Sequence, residues 1–345
     1  VIPGLYLSDA GEAGPRSRHP RGKRLHVPAW RCASARRGFT LVELLLVITI
    51  IGVLASLALG ALWHAETRAK TVRTQALVHK LHAQIMLRWE SYRTRQLPVD
   101  LQRLTVQRLM QQGYGQADAT SIVYRGYDTS GNSFNSSRMF AETRLWALRE
   151  LMRLELPQTF ADIQAGSLLG PPGFPVQVPL PAVTRAYQTR LASTPQATQQ
   201  YQGAECLYMI ITLGMDTSLG TERFSAKDVG DLDGDGLPEF HDAWGQPISF
   251  LRWAPQFVSD LQPMPRDPQG DHDPFDPSRV DARAYRLVPL VYSSGPDDRD
   301  MILTSFAGNT NPELGGPNDP YATNTGQPLG DGWQDNIHSH QPLRR

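Results

Sequence analysis

Residues 39–62, FTLVELLLVITIIGVLASLALGAL, constrain this chain more than any other stretch, because twenty-four consecutive positions carry a single charge, that of Glu43. Wound as a helix at about 1.5 Å per residue they reach roughly 36 Å, enough to cross the hydrocarbon core of a bilayer. The segment therefore predicts a transmembrane helix. Arg36 and Arg37 flank its N-terminal side, and the bias of basic residues towards the cytoplasm places what precedes them inside and the rest of the chain outside. Glu43 is the anomaly. A carboxylate in an apolar helix costs a few kcal/mol on insertion scales and persists where it meets a partner.

The first 38 residues read as a basic leader. They are rich in Pro, Gly and Arg, contain no apolar core of the length a secretory signal needs, and end in Arg36-Arg37-Gly38. Eight Lys or Arg against Asp9 and Glu12 make this stretch +6, which leaves −6 on the rest because the whole chain balances 34 basic with 34 acidic residues. The chain begins with Val1 and its first methionine is Met86, which points to a non-ATG start nearer Val27. From Asp228 onward 19 acidic residues face eight basic ones, an excess that argues against a nucleic-acid partner. Two cysteines, Cys32 and Cys206, exclude a disulfide framework, and Cys206 reads as a small buried hydrophobe.

The run Gly38-Phe39-Thr40-Leu41-Val42-Glu43-Leu44-Leu45-Leu46-Val47 resembles the prepilin cleavage and methylation motif of type IV pilins and type II secretion pseudopilins. The resemblance implies that a prepilin peptidase cuts between Gly38 and Phe39 and that the new Phe39 amine is N-methylated. It also implies that Glu43 pairs with a neighbouring subunit's N-terminal amine during assembly. Elementary electrostatics agrees: a carboxylate buried four residues from a freshly made cationic terminus is satisfied by such a charge. The other reading is a plain signal anchor with an incidental Glu.

Beyond the membrane segment, residues 63–97 continue as an amphipathic helix. Val78, Leu81, Ile85, Trp89 and Tyr92 are spaced by three, four, four and three, and Pro98 ends the run. One helix from Phe39 to about Arg95 would measure roughly 85 Å, as the pilin resemblance implies. His79 and His82 lie three apart on it, a spacing that permits a shared metal ion. No third ligand falls one turn away, so they read as exposed or packing-edge histidines. His272, His338 and His340 lie in loop-like sequence and read as exposed.

Residues 98–227 read as the helical and loop-rich part of a head. Helices are expected over 99–113 and 138–165, a polar loop over Thr129–Ser137, a surface excursion from Gly170 to Gln199 where prolines cluster, and a buried helix or strand over Ala204–Ile211. Residues 228–345 read as an acidic sheet-and-loop part. Counting Asp231 as position 1, Asp233 and Asp235 fall at 3 and 5, Gly236 at 6, the Leu237 carbonyl at 7, Glu239 at 9 and Asp242 at 12. Oxygens at every second residue converge when the chain curls, the ligand spacing of a calcium loop. Asp242 stands where such a loop has a Glu, and WGQPISFLRW follows as turn and strand, so this is no EF-hand. Plain hairpin turns, which Asp and Gly favour, are the competing reading.

The block is also similar to the C-terminal region of major pseudopilins, whose head ends in a small sheet with a calcium-holding loop. Asp242-Ala243-Trp244-Gly245-Gln246-Pro247, Ser294-Gly295-Pro296-Asp297-Asp298 and Asp335-Asn336-Ile337 carry that similarity, with Ala254–Ala284 as an inserted Pro- and Asp-rich loop. Structural Ca2+ is thus expected at Asp231–Asp242, at the Asp297 turn, or between them. No G-x-S-x-G, P-loop, zinc Cys pair or H-E-x-x-H occurs, so the sequence points away from an enzyme.

The resulting expectation is an α+β, pilin-like chain: a long N-terminal transmembrane and amphipathic helix packed on a globular head with a small antiparallel sheet. Its implied partners are prepilin peptidase, other pilin or pseudopilin subunits, an inner-membrane assembly platform and membrane lipid. Its implied place is the inner membrane with the head periplasmic, then a periplasmic or extracellular filament. A minor or tip pilin, or a membrane-tethered calcium-dependent binding module, remains the alternative.

Overall fold

A computed structural model describes residues 38–165, 179–214, 224–304, 319–321 and 323–341. The leader expected over 1–38 lies outside the described residues apart from Gly38, as do Cys32 and residues 170–178 of the expected Gly170–Gln199 excursion. The chain divides after Leu59 into two units.

In the first unit the described residues form the start of helix α1 (Leu41–Ser91). Every large apolar side chain from Phe39 to Leu59 is exposed, and the most apolar 18-residue window of α1 has a mean hydropathy of 2.7. By length and composition this helix can cross a membrane. A helix apolar on all sides has no face that water satisfies, so its natural surroundings are lipid or other helices.

The second unit, from Gly60, is built around the rest of α1. Thr74, Leu77, Val78, Leu81, Ile85 and Trp89 form its buried stripe, and Tyr92 is buried just past the helix end. Around it lie α2 (Leu101–Gln111), α3 (Gln116–Arg125), α4 (Ser136–Glu155), α5 (Phe160–Gln164), α6 (Ala182–Ala192) and α7 (Gln202–Met209), the last running into a π-helical turn at Ile210–Gly214. Side-chain caps fix several starts: Asp100 accepts from the Gln102 and Arg103 amides, and Asn135 from the Arg138 amide. Pro157 separates α4 from α5, so the single helix expected over 138–165 is two.

Two small antiparallel sheets complete this unit. Strands β1 (Val229–Gly230) and β2 (Glu239–Phe240) pair with Val229 opposite Phe240. Strands β3 (Ile248–Leu251), β4 (Leu290–Ser293) and β5 (Ile337–His338) form a sheet in the order β3-β4-β5, with Tyr292 opposite both Ser249 and His338. The central strand β4 is buried on both faces, as a middle strand between helices and turns must be. One hydrophobic cluster joins Val78, Leu81 and Ile85 of α1 to Leu151 and Met152 of α4, Leu207 of α7, Phe250 of β3 and Val291 of β4. The arrangement is the α+β, pilin-like one expected.

Two local expectations are corrected. Part of the supposed surface excursion is α6, with Thr184, Tyr187 and Leu191 buried. The Pro- and Asp-rich insertion is loop, as expected, and sends a few side chains into the interior. Phe275 meets Trp89 edge-to-face at 5.2 Å, and Asp281 accepts both terminal nitrogens of buried Arg149 at 3.1 Å. Finally, His338 and His340 are buried, at 6% and 3% exposure. Ala204–Ile211 resolves as helix, with Cys206 fully buried.

Candidate functional site

Two regions carry functional side chains. At the N-terminal end, Gly38 and Phe39 precede α1 in exposed backbone, and a Cβ on Gly38 would meet nothing within 4 Å. Thr40 and Glu43 then close a reciprocal pair: the Glu43 amide donates to Thr40 Oγ1, while the Thr40 amide and hydroxyl donate to Glu43 Oε2, all at 3.1 Å. This is a capping box, which satisfies two otherwise unpaired donors at a helix start. Glu43 therefore has a role within one chain, and its carboxylate remains exposed.

The second region is the turn between β1 and β2, with α7 behind it. Asp231 spends its oxygens on the loop itself, accepting from the Gly234 amide at 2.8 Å and the Gly236 amide at 3.0 Å. Gly234 and Gly236 sit at φ +77° and +95°, where side chains are strained, so the tight curl depends on them. Asp233 accepts from Thr198 Oγ1 at 2.9 Å, and Asp235 from the Thr198 and Leu237 amides at 2.6 and 2.8 Å. Leu237 is buried, and Glu239 Oε1 accepts from the Leu232 amide at 2.6 Å.

Glu205 of α7 completes this region. One oxygen each from Glu205, Asp233 and Asp235 lie within 4.8 Å of one another, the one group of three metal-ligand side chains so close among the described residues. Glu205 is wholly buried and neither of its oxygens has a donor; Oε2 of buried Glu239 is equally unpartnered. Burial, then the negative charge of Asp235, pushes Glu205 up to about 9. Burial raises Glu239 to about 7, against the Leu232 hydrogen bond that lowers it. This unmatched negative charge fits a hard cation that prefers oxygen ligands.

The remaining expected ligands lie elsewhere. Asp242 anchors the next turn, accepting from the Trp244 and Gln246 amides at 2.7 and 2.9 Å and from Ser293 Oγ at 2.6 Å. Asp297 accepts from the Arg299 amide at 3.0 Å in a 3-10 turn, Gly295–Asp297. Neither belongs to the group around Glu205.

Compared with known protein families, residues 33–59 match the model described as the prokaryotic N-terminal methylation motif. The chain carries the pilin and pseudopilin signature. That motif implies processing by a prepilin peptidase and assembly with other pilin subunits. No curated protein and no solved structure matches the chain.

In this pilin-like chain the spacing of Asp233 and Asp235 was visible in the sequence, whereas Glu205 was not. It stands 28 positions before Asp233, inside a buried apolar run, and only the packing of α7 against β2 and β3 brings it to the loop. The one available signal was a charged residue within AECLYMII, which calls for a partner.

Proposed function

We propose that this chain is a pseudopilin-type structural subunit of a type II secretion or type IV pilus-like filament, processed between Gly38 and Phe39 and assembled through α1. The observation that carries this is the methylation motif seated at the start of a helix whose apolar side chains are all exposed from Phe39 to Leu59. Such a surface is unsatisfied in water. It suits lipid before assembly and packing against sister helices afterwards. In this reading the anchor lies in the inner membrane, the head is periplasmic, and an inner-membrane platform draws subunits into the filament. The head from Gly60 onward is bulky for a repeating subunit, which favours a minor or tip position as the second reading.

Ca2+ is the structural cofactor in this proposal, held by Glu205, Asp233 and Asp235 with Glu239 beside them. It would neutralise the orphaned carboxylates and pin α7 to the β1–β2 turn. Asp231 shapes the loop, and Asp242 and Asp297 belong to separate turns.

Mass spectrometry of the N-terminal peptide, from cells with and without prepilin peptidase, tests the assembly reading. The expected mature terminus is Phe39 bearing one methyl group. A terminus that stays uncut with the peptidase present would leave a signal anchor and bring forward the tethered binding module.

A further inference from the structure

Four histidines from opposite ends of the chain meet inside the second unit. His79 and His82 sit on α1, His338 on β5 and His340 two residues later. The ring centroids of His82 and His340 are 6.2 Å apart and those of His338 and His340 6.3 Å, while the charges of His79 and His82, and of His79 and His338, act on one another. Phe257 covers them, with its ring 4.9 Å from His338 and 5.6 Å from His340.

Their hydrogen bonding separates one from the other three. His340 is fully engaged: Nε2 lies 3.2 Å from the Pro289 carbonyl and Nδ1 2.9 Å from Ser259 Oγ. A carbonyl only accepts, so Nε2 carries the proton and Nδ1 accepts from the hydroxyl. His79 Nε2, His82 Nδ1 and His338 Nδ1 are each buried without any partner. An unpaired buried polar atom costs about 1–3 kcal/mol, and three converge here. Passive packing gives no reason to keep them.

Burial pushes His82 and His338 down to about 4, so both rings are neutral at ordinary pH, the form that binds metal. Among the described residues, the titratable groups that act most on the four rings are the rings themselves. The backbone of Gln341 lies close enough to His79 to offset part of the lowering that burial imposes on it. A cleft lined by Thr71, Gln75, Ile337 and Gln341 opens one helical turn before His79.

We propose that His79, His82 and His338 form a site for one borderline divalent metal ion of the zinc class, walled by His340 and completed by water. Three imidazoles and a solvent molecule are a standard zinc set, and nitrogen ligands select against calcium. The three free nitrogens are not yet within 4.8 Å of one another, so rotation of the rings closes the site. The bound ion would tie the chain's terminal strand to α1, a clamp independent of the acidic cluster.

The test uses the full chain in detergent, stripped with chelator, dialysed against Zn2+ and assayed by elemental mass spectrometry. Wild type should retain one zinc per chain, and Co2+ in its place should show tetrahedral visible absorption. His79→Ala, at a half-exposed helix position where folding is retained, and His338→Asn should each weaken zinc binding by about 100-fold or more, since even outer-sphere losses cost 10–100-fold. Glu205→Gln should retain zinc. Wild type that holds no stoichiometric zinc overturns the proposal. So does an undiminished affinity in His79→Ala, or loss of zinc in Glu205→Gln alone, which would place the ion in the acidic cluster.

Discussion

Glu155 and Glu205 are both buried glutamates, at 2% and 0% exposure, yet their surroundings are opposite. Glu155, at the end of α4, accepts from Tyr92 Oη at 2.7 Å and is bracketed by Arg88 at 2.9 Å and by Arg95, whose second guanidinium nitrogen lies 2.7 Å away. Glu205, on α7, faces Asp233 and Asp235 and has no donor at all. A buried charge with three donors is a fastener between helices. A buried carboxyl with none is held protonated at neutral pH, and a cation could take the place of that proton. The contrast separates a residue bonded into the fold from one that the proposal above gives to a cation.

The largest effect should come from the fastener. Glu155→Ala leaves Arg88 and Arg95 facing a buried hole at the seam of α1 and α4, and breaking one side of a buried ion pair typically costs about 3–5 kcal/mol. Urea denaturation of the detergent-held chain should show a loss of that size. A loss below about 1 kcal/mol would mean that the seam rests on Leu81, Ile85 and Leu151 alone, and the contrast would fail on its structural side.

Glu205 should respond in the opposite direction. Its carboxyl is raised to about 9 in the folded chain from an ordinary 4.5, so the folded state holds a proton that the unfolded state has released. Stability without metal is then fully present below about pH 4.5 and is lost as pH rises towards 9. At pH 7 the penalty is on the order of 3 kcal/mol, taking 1.36 kcal/mol per pH unit. Glu205→Gln, which can donate to Asp235, should relieve most of it and flatten the pH slope. Saturating Ca2+ should stabilise wild type, by about 2.7 kcal/mol at a hundredfold excess over Kd, and leave the variant unmoved. Thermal unfolding at pH 5, 7 and 9, with Ca2+ and with chelator, reads all of this. Equal Ca2+ responses in the two chains would remove Glu205 from the site.

What the sequence revealed follows the same division. Signals that rest on local spacing were legible: the apolar run from Phe39, the stripe from Val78 to Tyr92, and the alternating Asp233 and Asp235. The proposed ligands contributed from a distance were not. Glu205 lies in an apolar helix, and His338 is more than 250 positions beyond His79, so neither has a sequence neighbour that announces its role. The inward-facing aspartates of the Ala254–Ala284 loop were hidden for a related reason. Its prolines and aspartates read as solvated loop, but Arg149 and the backbone amides satisfy Asp273, Asp276 and Asp281 internally, and a charge with a partner no longer needs water.

Glu43 gives the smallest effect on a single chain, and it tests whether a carboxylate can be both a fastener and a partner for a cation. Its bonds to Thr40 cap α1, and removing a cap costs about 1 kcal/mol. Glu43→Gln preserves the capping box, because a Gln oxygen still accepts from the Thr40 amide, but it abolishes the negative charge offered to a neighbour's Phe39 amine. Glu43→Ala removes both. If assembly depends on the charge, both variants should insert normally into the membrane and both should fail to enter filaments, while Gln alone keeps the helix start protected from hydrogen exchange. If the cap is what matters, Gln should assemble like wild type and Ala should not. Filament yield in sheared fractions, set beside amide exchange at Glu43 and Leu44, distinguishes the two, because only the pairing role couples one chain's carboxylate to another chain's terminus.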